Sequence, residues 1–96
     1  MATFKDIVRE TIVSFIKQGK KTISIDELKV FLLNNYDMRS LNYPSTERKI
    51  IQNFIEVARA NGWIDFYDKT NFIRISQDFF DIISLKENKG DVNEKV

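Results

Sequence analysis

The polar residues with the most to offer chemically fall in one stretch, directly after the only proline, Pro44. On a helix turning roughly 100° per residue, Ser45, Lys49, Gln52 and Glu56 share one side, flanked by Thr46, Arg48, Asn53 and Arg59. Gln and Asn side chains pair with the edge of adenine in a major groove, and Arg and Lys pair with guanine. Ser45 and Thr46, with the free N–H groups of a helix start, suit a phosphate. Lys20 and Lys21, with Lys17, make a second cationic cluster suited to backbone phosphates, and Lys69 is a lone cation in a later turn. The same residue types also describe an ordinary solvated helix face. Lys20 and Lys21 beside a helix end equally complement its negative pole.

Other chemistries find little support. The chain has no Cys and no His, which removes thiolate and imidazole nucleophiles, bases and metal ligands, and disulfides. Three scattered glycines leave no phosphate-cradling loop, so no cofactor is expected. Asp26-Glu27-Leu28-Lys29 holds the E-x-K pattern of metal-dependent nucleases, but at a helix start its members diverge. Asp78 and Asp81 read as a solvated face rather than a metal site. No catalytic residue and no metal ligand emerges, and the expected class is non-enzymatic.

The elements that must position the polar stretch follow from periodicity. Phe4, Ile7, Val8, Ile12, Phe15 and Ile16 predict a first helix, with Thr3 as its cap and Gly19 as its stop. A brief strand ends at Ile23. Ser24-Ile25-Asp26-Glu27 is a capping box opening a second helix to about Asn35, with Ile25, Leu28, Phe31 and Leu32 inward. Tyr36–Tyr43 reads as a loop. A third helix spans about 45–61, with Ile50, Ile51, Phe54, Val57 and Ala58 as its apolar side and Gly62 as its stop. Trp63–Asp68 and Phe72–Ser76 form a hairpin in which Ile64 and Phe66 alternate with Asp65 and Tyr67. Ser76 caps a last short helix, and 86–96 reads as a flexible charged tail after a single domain over 1–85.

The order of these elements, and the join Ala60-Asn61-Gly62-Trp63-Ile64, resemble the winged helix-turn-helix DNA-binding superfamily, in the style of small archaeal, viral or bacterial regulators. The resemblance covers residues 4 to about 85. It implies an α+β winged helix: a three-helix core, a C-terminal β-hairpin wing and a final short helix. It also implies that the helix at 45–61 enters the major groove of double-stranded DNA, in the service of transcription regulation. Two features depart from the pattern. The loop before the third helix is about eight residues long, and the wing carries Asp65 and Asp68 around Lys69. The acidic wing, with the near-neutral net charge, suits the alternative the superfamily offers, a protein-interaction module without DNA binding.

Composition sets the outer bounds. The 96 residues, 43% hydrophobic and 30% charged, suit one folded domain with a modest core. No apolar run approaches the roughly 18 residues of a membrane span, and the first residues lack a signal-peptide pattern, so an intracellular place is expected. Net charge is only +1, divided as +3 over residues 1–60 and −2 over 61–96. Phe79, Phe80, Ile82, Ile83 and Leu85 are more apolar side chains than one small core accepts. Phe79, Phe80 and Ile83, with Val13 of the first helix, are therefore the expected surface of a homodimer.

Overall fold

The computed structural model describes residues 3–35, 47–68 and 71–95, with 47–48 and 87–95 by backbone alone. Among them are four helices and one three-stranded antiparallel sheet, in the order α1 (Phe4–Lys17), β1 (Thr22–Ser24), α2 (Ile25–Asn35), α3 (Glu47–Ala60), β2 (Ile64–Asp68), β3 (Phe72–Ile75) and α4 (Gln77–Lys95). No described helix is long and apolar enough to cross a membrane.

Local chemistry sets the boundaries. Asp6 N–H donates to the Thr3 hydroxyl at 3.2 Å while Thr3 N–H donates to the Asp6 carboxylate at 3.0 Å, a reciprocal cap on α1. The Thr3 N–H, then its hydroxyl, lower the pKa of Asp6 from its ordinary value. The same device opens α2: Glu27 N–H donates to the Ser24 hydroxyl and Ser24 N–H to the Glu27 carboxylate, both at 3.0 Å. α1 and α3 end alike. Gly19 (φ 80°) and Gly62 (φ 74°) take the left-handed conformation that side chains resist. Their N–H groups donate to Ile16 and Arg59 carbonyls, and the next residues, Lys20 and Trp63, donate to Phe15 and Ala58 carbonyls. This paired closure turns the chain sharply and leaves few carbonyls unpartnered.

The sheet runs β1-β3-β2, so the short first strand pairs with the hairpin's second strand, Ile23 opposite Ile73. In β2 the register slips between Ile64, which faces Ile75, and Phe66, which faces Arg74. Asp65 is the extra residue of a bulge, and it inverts the expected alternation. Phe66 turns out to solvent, 43% exposed, while Tyr67 turns in and packs against the core. Because side chains alternate with period two, one inserted residue exchanges the two faces.

The core gathers Val8 and Ile12 of α1, Ile23, Leu28, Phe54 and Ile55 of α3, and Ile73, all essentially without exposure. Thr11 is buried with them, and its hydroxyl donates to the Ile7 carbonyl at 2.7 Å, so no polar atom is stranded.

The C-terminal region differs most from its expectation. Ser76 caps α4 as anticipated, accepting from Phe79 N–H at 3.3 Å. The helix is not short, however, and residues 86–95 are not a loose tail: α4 is 19 residues long, about 28 Å. Lys and Glu are good helix formers, and a helix already under way adds residues cheaply.

Candidate nucleic-acid interface

α3 is anchored through one side and open on the other. Ile50, Ile51, Phe54, Ile55 and Ala58 are buried against the rest of the chain. Lys49, Gln52, Glu56 and Arg59 are exposed, spaced so that they lie along one stripe, with Asn53 half-buried at its margin. Lys49, Gln52, Asn53 and Glu56 make no side-chain hydrogen bond or ion pair with any described residue. Two cations and one anion therefore share the stripe with an amide that both donates and accepts. Ser45, Thr46 and Lys69 lie outside the described residues. Arg48 stands in the first turn of α3, where only the backbone is described.

Arg59 is less free than its neighbours. Its guanidinium donates to the Tyr67 hydroxyl at 2.8 Å and lies 5.5 Å from the centre of that ring. Tyr67 packs on the core, so Arg59 ties the end of α3 to the hairpin. It also sits in the last turn, where a cation complements the helix's negative end. No sequence signal pointed to this pair, because Tyr67 faces inward only on account of the bulge at Asp65.

The second cationic cluster is turned to internal use. The Lys20 ammonium donates to the Glu27 carboxylate and lies 5.7 Å from the Phe15 ring centre. Lys20 first, and Ser24 N–H second, hold the Glu27 carboxyl below its ordinary value. Glu27, the acid of the E-x-K pattern, thus serves a helix cap and an ion pair with Lys20. The Lys21 ammonium lies 5.3 Å from the Phe80 ring centre. Lys20 and Lys21 engage α1, α2 and α4 through these contacts, and none reaches the α3 stripe.

The described cation of the hairpin is engaged within the hairpin. Arg74 Nε donates to the Asp65 carboxylate at 2.7 Å, and its guanidinium lies 5.6 Å from the Phe66 ring centre. Phe66 in turn packs on Phe72, with centres 5.4 Å apart. The Asn71 side-chain amide donates to the Asp68 carboxylate at 2.7 Å.

The expected homodimer surface needs correction. Ile83 is 5% exposed and belongs to the core. Val13, Phe79 and Phe80 are only partly exposed and pack against that core. Phe79 lies between the Trp63 ring, 5.7 Å away, and the Arg9 guanidinium, 5.9 Å away. The apolar count along α4 was informative, but the α1 packing and the Trp63 junction chose which side faces inward. Ile82 (53%) and Leu85 (65%) are the exposed pair.

Comparison of the chain with protein-family models, curated proteins and solved structures finds no match.

Proposed function

We propose that this protein is a non-enzymatic DNA-binding protein of winged-helix type, a small transcriptional regulator that places α3 in the major groove and acts as a homodimer. One observation carries the reading. The stripe of Lys49, Gln52, Glu56 and Arg59 is exposed on a helix whose other side is fixed in the core, and its first three members have no partner within the described residues. Rigid support behind unengaged polar groups is what base-edge recognition requires. Lys49 suits guanine or a phosphate, Gln52 suits adenine, and Glu56 suits the amino group of cytosine. The element order and the pairing of β1 onto the hairpin support the winged-helix assignment.

The test is a random-oligonucleotide selection at physiological salt, followed by titration of the enriched duplex at several salt concentrations. An enriched palindrome with half-sites about one helical turn apart, and an affinity that falls steeply with salt, is the expected result. No enrichment, with no salt-dependent retention on any duplex, refutes the reading.

A protein-interaction module is the second reading. It is favoured by the pairing of Lys20 with Glu27 and Arg74 with Asp65, which withdraws a cation of the second cluster and a cation of the hairpin from a phosphate backbone. Such a module would ignore heparin and co-purify with its partner.

A further inference from the structure

We infer that the exposed stripe of α4 pairs with the same stripe of a second copy, antiparallel, about a two-fold axis between Ile82 and Leu85. The inference refines the homodimer part of the reading above by moving the interface from Phe79, Phe80 and Ile83 to the opposite side of α4.

The argument begins with exposure. Ile82 and Leu85 are among the few large apolar side chains of the described residues that stand more than half exposed. They lie three apart on one side of a helix whose other side is held by Ile83, Phe79 and Phe80. Asp78 precedes Ile82 by four residues, and the α4 backbone continues through Lys89, four residues after Leu85. A spacing of four, three and four is the alternation that keeps a seam in line along two helices packed side by side.

Charge selects the second copy and its direction. The seam runs acid, apolar, apolar, base. Turned end for end on itself, it sets Ile82 against the partner's Leu85 and Asp78 against the partner's Lys89, and symmetry repeats both pairings. Packed parallel, it would set Asp78 against the partner's Asp78 and the partner's Lys89 against Lys89. Like charges facing across a seam oppose association. The sequence is therefore self-complementary in the antiparallel sense alone. The length of α4 suits this, since the seam from Asp78 to Lys89 covers about 17 Å of helix.

The experiment is sedimentation velocity of the full chain without DNA, from about 1 to 300 µM, a range that brackets a modest self-interface. The expected result is a concentration-dependent dimer. Leu85→Asp, and separately the milder Leu85→Ser, should leave it monomeric throughout, with thermal unfolding unchanged at concentrations where the wild type is also monomeric, because the residue is exposed. Asp78→Lys should weaken dimerisation roughly tenfold, since two symmetric pairs become repulsive. Asp78→Lys combined with Lys89→Asp should restore it. A dimer indifferent to both Leu85 variants overturns this interface and leaves the homodimer reading standing. Failure of the double reversal to restore dimerisation overturns the antiparallel register. A monomer at every concentration overturns this interface and the homodimer reading together, while the duplex titration still judges DNA binding independently.

Discussion

The outward faces of α3 and of the β2–β3 hairpin both carry cations beside acids, and those charges are engaged differently. On the hairpin, Arg74 is taken up by Asp65 and by the Phe66 ring, and Phe66 is stacked on Phe72. On α3, Lys49, Gln52 and Glu56 point to solvent with no described partner. A cation already in an ion pair must be released before it can meet a phosphate, so its net contribution to binding is small. A cation that is only hydrated loses little on the exchange. The contrast teaches where a ligand is to be sought: counting cations rates Arg74 and Lys49 equally, and partner accounting separates them.

The comparison is broken most severely by reversing charge on each face. Lys49→Glu should lower duplex affinity by about tenfold or more and reduce the salt dependence by about one released counterion, without altering thermal unfolding. Arg74→Glu should change affinity less than about twofold. Equal losses in a fluorescence anisotropy titration would show that both faces meet the duplex.

The joint between the faces gives the next largest effect. Gly62 (φ 74°) sets the angle at which the hairpin leaves α3, and an added Cβ would meet no neighbouring atom. The cost of Gly62→Ala is therefore one of backbone conformation alone, roughly 1–2 kcal/mol. For a domain of this size that is a fall in melting temperature of about 4–8 °C per kcal/mol, readable by circular dichroism. An unchanged melting temperature would mean that the joint is not held as described.

A smaller effect sharpens the contrast by making the hairpin resemble α3. Asp65→Ala should free Arg74 and tighten non-specific duplex binding by about twofold, with a slightly steeper salt dependence. No change would mean that the hairpin stays clear of the backbone even when its cation is unpaired.

The smallest effect tests the internal use of Lys20. Glu27→Gln keeps the capping hydrogen bonds and removes the ion pair. The Glu27 pKa is lowered in the folded chain, so the carboxylate stabilises the fold above the unfolded value, near 4.5, and that stabilisation is lost as pH falls through the lowered folded value. Wild type should therefore exceed Glu27→Gln by a few tenths of a kcal/mol at pH 7, with the gap closing in acid. A gap that persists below pH 3 would assign the difference to packing.

Much of this was legible beforehand. Ser24 and Glu27 announced a reciprocal cap, and Gly19 and Gly62 announced helix ends, because these devices involve residues within a few positions of one another. The polar side of α3 was legible for the same reason, since a regular helix converts spacing directly into faces. The exposure of Phe66 and the inward turn of Tyr67 were hidden, since an alternating pattern carries no mark of a bulge within its own strand. The burial of Ile83 and the exposure of Ile82 were equally hidden, because adjacent isoleucines look alike until a neighbouring helix takes one side.

The sequence by itself determined the order of the elements, their caps and the polar character of the α3 stripe, all of which rest on interactions short enough in chain separation to be encoded locally. Only the tertiary structure decided which charges remain free. Lys20 finds Glu27 seven residues on, Arg59 finds Tyr67 eight residues on, and Arg74 finds Asp65 nine residues back. Each of these meetings crosses a turn or a strand register, so it exists only once the chain has closed on itself. Whether a charge is available to a partner is a property of that closure and not of the residue.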